Sequence, residues 1–100
     1  MDISIEAPHI ELSNRLKREI KTKLSHLIKM YDRIITCEVV LKKEKDNEQK
    51  NFHIEAKLLI PGGFLFAAEK AESFETALDN LTENIKRQLH RHKEKLEQAR

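Results

Sequence analysis

From Phe52 to Lys70 the chain reads F-H-I-E-A-K-L-L-I-P-G-G-F-L-F-A-A-E-K. Its first half alternates: Phe52, Ile54, Ala56, Leu58 and Ile60 share one side, against His53, Glu55, Lys57 and Leu59. A period of two is that of a half-buried strand. Pro61-Gly62-Gly63 is turn chemistry, and Phe64 to Lys70 supplies a second strand. The inward side of that second strand is ambiguous, since Phe64 and Phe66 compete with Leu65 and Ala67. Phe52, Phe64 and Phe66 are expected in the core. The period then changes. Ser73 caps a helix beginning near Phe74, and Leu78, Leu81, Ile85, Leu89 and Leu96 fall on one stripe at 100° per residue.

Upstream, Asp2 to Glu6 alternates with Ile3 and Ile5 on one side, a short strand broken by Ala7-Pro8-His9. Ser13 or Asn14 can cap a helix with the stripe Leu16, Ile20, Leu24, Leu27 and Tyr31, ending near Tyr31-Asp32. Ile34 to Lys43 is β-branched and apolar, with Cys37, Val39 and Leu41 on one face. Glu44 to Asn51 is a polar connection. The order β-α-β-β-β-α predicts an α+β two-layer domain over residues 1–100: a four-stranded sheet, its last three strands joined by antiparallel hairpins, with two helices on one face. Leu16, Ile20, Leu24, Leu78, Ile85 and Leu89 are expected to be buried between the layers.

One hundred residues build a single modest core. There is no run of about 18 apolar residues to span a membrane. The N-terminus lacks the basic-then-apolar pattern of a signal peptide, and one cysteine cannot form an internal disulfide. A cytoplasmic protein is expected. The net charge is only +2, yet it is unevenly spread. Ser13 to Tyr31 holds Arg15, Lys17, Arg18, Lys21, Lys23 and Lys29 against Glu19; Asn84 to Leu96 holds Lys86, Arg87, Arg91, Lys93 and Lys95 against Glu94. Those two helical segments are basic and the remainder is acidic, a distribution that fits a polyanion-binding face. Arg87, Arg91 and Lys95 stand four apart. Such like-charged pairs destabilise an isolated helix by roughly 0.2–0.5 kcal/mol each, a cost that an anionic partner offsets.

No catalytic constellation is present. His90 and His92 are two apart and point away from each other on a helix, a poor arrangement for a shared metal. Cys37 lies mid-strand, without the exposure or base that a nucleophile needs. Gly62-Gly63 is a hairpin turn, not a phosphate loop. No enzyme activity, cofactor, metal or small-molecule substrate is expected. No RNP-type aromatic strand motif is visible, so recognition by Lys and Arg to phosphate is implied rather than base stacking. Two further readings remain: a double-stranded RNA-binding module, whose α-β-β-β-α order this chain shares, and a protein-protein adaptor that docks acidic surfaces through its basic helices.

M-Y-D-R-I (Met30 to Ile34), V-V-L-K-K-E-K (Val39 to Lys45), L-F-A-A-E (Leu65 to Glu69) and A-L-D-N-L followed by K-R-Q-L-H-R-H-K-E-K-L (Ala77 to Leu96) together resemble the ribosome hibernation promoting factor family, related to the ribosome-associated inhibitor. Ending at Arg100, the sequence looks like the short form. The resemblance implies binding to the small ribosomal subunit in the mRNA and tRNA channel, blocking translation in dormant cells, with a possible helper factor for ribosome dimerisation. By position it implies rRNA contacts at Lys23, Arg87, Arg91, His92, Lys93 and Lys95, with Lys21, His26, Lys29, Lys86 and His90 as neighbouring candidates. For His92 a packing role in the apolar stripe stays open beside this. The chain departs from the family where Lys is usual, at His26, and where Asp and Tyr are common, at Ser73 and Glu75.

Overall fold

Ser13 decides where the first helix starts. Its hydroxyl accepts the Leu16 N–H at 3.1 Å, and α1 runs Asn14–Met30, because a capped amide no longer lacks a partner. In this computed structural model, which describes residues 3–44 and 51–98, the elements are β1 (Ile3–Glu6), α1, β2 (Thr36–Lys43), β3 (Phe52–Ile60), β4 (Gly63–Ala71) and α2 (Phe74–Gln98). Most of the expected polar connection after Glu44, and the side chain of Leu96, fall outside the described residues.

The sheet order is β1-β2-β3-β4. β1 lies parallel to β2, and α1 makes the crossover; β2-β3 and β3-β4 are antiparallel. The α+β architecture expected from the periodicities is the one found, as a mixed sheet. α1 stops one residue before Tyr31, which serves as its C-cap. β2 starts at Thr36 rather than Ile34: Ile34 is buried, but Ile35 is exposed.

The two helical stripes and one sheet face form a single core. Leu16, Ile20, Leu24 and Leu27 from α1 meet Leu78, Leu81, Ile85 and Leu89 from α2 over Cys37, Val39, Leu41, Ile54, Ala56 and Leu58. No polar or charged side chain is buried among the described residues, so the fold rests on apolar burial at roughly 25 cal/mol per Å².

Register resolves the ambiguity in β4, and it corrects one expectation. Ile60 pairs with Gly63 and Leu59 with Phe64, so the hairpin loop is the two residues Pro61-Gly62. Gly62 has φ +85°, the left-handed value that a Pro-Gly turn places on glycine. Leu59 points away from the core, and its cross-strand neighbour must do the same. Phe64 and Phe66 therefore lie on the outer face, 57% and 49% exposed, and are not core residues. Ala67 and Ala71 occupy the inner face, where α2 crosses close to the strand. Phe52 is half-buried, edge-on to Phe74 at 4.9 Å between ring centroids.

Candidate nucleic-acid interface

The basic residues stand on the helical layer, arranged by the helices' own periodicity. On α1, Lys21, His26 and Lys29 are exposed around a shallow depression also lined by Thr22 and Ser25. Lys23 turns towards α2 and pairs with Asp79. A groove between the helices is lined by Lys23, His26, Leu27, Met30, Thr82, Glu83 and Lys86. Lys93 follows Lys86 by seven residues and so shares its flank. Both flanks of this groove carry positive charge.

The opposite flank of α2 faces the β4 edge. There Gln88 Nε2 donates to the Phe66 carbonyl at 2.8 Å and to Asn84 Oδ1 at 2.8 Å, while Asn84 Nδ2 donates to Glu69 Oε2 at 2.9 Å. These amides cover part of an edge strand that would otherwise offer bare carbonyls. Arg87, Arg91 and Lys95, all exposed, begin at the solvent crest of the helix. They then drift about 40° per step towards this flank, since four residues overshoot a turn. The predicted basic residues therefore form three groups: Lys21 and Lys29 with His26 about the depression on α1, Lys23, His26 and Lys86 on the interhelical groove with Lys93 on the same flank, and Arg87, Arg91 and Lys95 from crest to β4 edge. Among the described residues, Lys21, Lys29, Lys86, Arg87 and Arg91 have no carboxylate within ion-pair distance.

The two histidines of α2 differ. His90 is exposed, with Nε2 3.1 Å from Glu94 Oε1. His92 is half-buried: its Nε2 shares a 3.1 Å hydrogen bond with the Tyr31 hydroxyl, and the two rings meet edge-on at 5.3 Å. This contact ties the end of α1 to the basic part of α2. Sequence reasoning missed Asp79 as the partner of Lys23, and Asn84 and Gln88 as the edge cover. Nothing local marks those residues; they meet their partners only when the elements pack. The Phe64 position was accessible, because a two-residue loop fixes its side from that of Leu59.

Burial pushes the Cys37 thiol up from its usual 9.0 to about 11, with the Glu38 charge adding to the effect. The thiolate is thereby suppressed, and this cysteine has no nucleophile chemistry to offer. Among the described residues no three His, Cys, Asp or Glu side chains are grouped to hold a metal ion, and no helix is long and apolar enough to cross a membrane.

A four-stranded mixed sheet backed by two helices with exposed cations defines the class of α+β domain, and comparison with known proteins narrows it. Residues 3–97 match the model of the sigma 54 modulation protein / S30EA ribosomal protein family, and this chain belongs to that family. It is similar to ribosome hibernation promoting factors of Pseudomonas putida, 34% identical over 95% of this chain and 89% of that protein. Those of Salmonella typhimurium and Escherichia coli K12 are 34% and 32% identical, over 98% of this chain and 99% of each. Two solved structures share the fold: a ribosomal subunit interface protein from Coxiella burnetii (TM-score 0.83, 20% identity, 93% of this chain and 98% of that one) and the N-terminal domain of Thermus thermophilus Protein Y (TM-score 0.78, 22% identity, 92% and 99%). The relatives are named for a binding role at the ribosome, not for an enzymatic one.

Proposed function

We propose that this protein is a ribosome hibernation factor that occupies the mRNA and tRNA channel of the small subunit, between head and body, and blocks translation in dormant cells. The observation that carries the reading is the helical layer of exposed basic side chains, of which Lys21, Lys29, Lys86, Arg87 and Arg91 have no ion-pair partner among the described residues, in a chain whose relatives are hibernation promoting factors. Lys21, His26, Lys29, Lys86, Arg87, His90, Arg91, Lys93 and Lys95 meet rRNA phosphate, which fixes position without reading sequence. Lys23 contributes when phosphate competes with Asp79. His92 serves through Tyr31, holding the end of α2 in place, rather than as a free cation.

Co-sedimentation with purified small subunits across a salt series tests this. Binding to subunits that weakens steeply with salt and is absent with a free RNA duplex supports it. Equal affinity for the duplex would favour a general double-stranded RNA binder, and binding to neither would favour a protein adaptor.

A further inference from the structure

We propose that the outer corner of β4, with Phe64 and Phe66, and the adjoining Arg91–Lys95 flank of α2 form one platform for an unpaired RNA strand. Two bases stack on the phenyl rings, and the flanking phosphates pair with the arginine and lysine. This deepens the ribosome-binding reading and rests on it.

The first observation is an apolar patch confined to one corner. Ile35, Leu59, Phe64 and Phe66 are each at least 40% exposed. Away from this corner the outer face carries ion pairs: Glu55 lies 3.6 Å from Lys42 and 3.4 Å from His53, and Glu44 lies 3.3 Å from Lys70. Exposed aromatic side chains clustered in this way mark a contact surface. Phe64 and Phe66 are two apart on a strand, so they stand on one face about 6.6 Å from each other. That separation suits successive bases of an extended strand.

The second observation is charge. Lys57 Nζ sits over one face of the Phe64 ring, 4.7 Å from its centroid, so a base stacks on the other face with a cation close by. On the other side, Gln88 touches the Phe66 carbonyl, which fixes how α2 runs past β4. Because Asn84 meets Glu69 and Gln88 meets Phe66, helix and strand run antiparallel. Arg91 stands about 4.5 Å beyond Gln88 along the helix, while Phe64 stands about 6.6 Å beyond Phe66 along the strand. Arg91 is thus level with the gap between the rings, and Lys95 lies past Phe64. The rings stand on the outer side of the β4 edge and the cations on its helical side, so one strand engages both by passing over that edge; phosphates held electrostatically and bases stacked without sequence preference are the pairing that single-strand binders use. Glu38, cross-strand from Lys57, is the acid on this half of the face, and it lies on the far side of β3 from the rings. A second copy of the chain is a poorer occupant. A standard interface takes about 800 Å² per partner, more than a tenth of the 6905 Å² surface, and four partly exposed side chains fall short of that.

The probes are a fluorescein-labelled single-stranded 12-mer of uridylate, an RNA hairpin duplex and purified small subunits. The variants are F64S/F66S, F64Y/F66Y and R91E/K95E, each first checked for a native circular-dichroism melt. Stacking contributes roughly five- to a hundredfold per base, so F64S/F66S should weaken 12-mer binding at least tenfold with the salt slope unchanged. F64Y/F66Y should restore it, and R91E/K95E should lower both affinity and slope. If the strand is rRNA, the tenfold loss also appears with subunits washed free of mRNA; if it is mRNA, the loss is confined to the free oligomer. Two results overturn the platform while leaving the proposed function standing: F64S/F66S binding the 12-mer like wild type, or wild type sedimenting with subunits yet ignoring the 12-mer. A wild-type dimer that F64S/F66S dissolves overturns it too, and assigns the corner to a second copy. Failure of R91E/K95E to weaken 12-mer binding overturns the platform as well, whereas the proposed function itself falls only if wild type does not sediment with small subunits.

Discussion

Cys37 and Leu89 show what single residues contribute to this core. Both are 1% exposed, and neither has a polar duty. Leu89→Ala should cost about 2–5 kcal/mol, because the lost transfer energy is joined by that of the cavity left behind. Urea melts read this directly, and a loss below roughly 0.5 kcal/mol would mark Leu89 as a surface residue. The thiol gives a pH signature. Its folded pKa of about 11 lies above the ordinary 9.0, so the contribution is fully present below pH 9 and is lost as pH rises towards 11. Relative to a Cys37→Ala variant, the wild type should lose on the order of 2–3 kcal/mol across that window. Parallel slopes for the two proteins in urea melts from pH 8 to 11 would refute the assignment. A native-state thiol titration at pH 8 should find Cys37 unreactive, in keeping with a buried neutral thiol.

At the scale of elements, α2 has two jobs that its periodicity separates. Its apolar stripe closes the core, its Asn84–Gln88 flank covers the edge of β4, and the remaining arc carries cations. Changing Arg87, Arg91 and Lys95 together to Glu alters only exposed positions. The urea midpoint should stay near that of the wild type while co-sedimentation with small subunits disappears. The milder Arg91→Gln should lower the slope of log affinity against log salt by about 0.7–0.9, one phosphate's worth of counterions. A folded triple variant that still co-sediments would sink this helix face as the binding surface. The contact between α1 and α2 is tested separately. Tyr31→Phe keeps the edge-on ring contact with His92 but loses a part-buried hydrogen bond, a cost of about 0.5–1.5 kcal/mol. Subunit affinity should fall slightly with its salt slope unchanged, since no cation is removed. A changed slope would mean that His92 itself meets phosphate.

For the whole molecule, the proposed inhibition is occupancy. Two helices offer phosphate-binding groups, the one cysteine is buried, and the described residues hold no grouped metal ligands. The principal extents are 49 × 25 × 19 Å, an elongated body suited to lying along a channel. Inhibition should therefore be stoichiometric, insensitive to added cofactors, and competitive with mRNA or initiator tRNA. In vitro translation at two ribosome concentrations measures this: half-inhibition should track the ribosome concentration. Full inhibition at a small fraction of one protein per ribosome would require turnover and end the occupancy model.

Element types, their order and the buried stripes were legible in the chain, because a period of two or of 3.6 records which side of each element avoids water. The Ser13 and Ser73 caps were legible too, since each serine must satisfy an amide three residues away. The basic character of both helices follows from composition along the chain. Other features depend on contacts between residues far apart in sequence, and no local pattern carries them. The pairing of Lys23 with Asp79, the docking of His92 on Tyr31 and the closure of the β4 edge by Gln88 all arise when α1, α2 and the sheet meet. The outward turn of Phe64 and Phe66 is a different case, fixed by a local turn but masked by hydrophobicity. Hydrophobicity alone favoured an interior place for those rings. The two-residue turn and the pairing of Leu59 with Phe64 put them on the other face, because side chains alternate and one register step exchanges inside for outside.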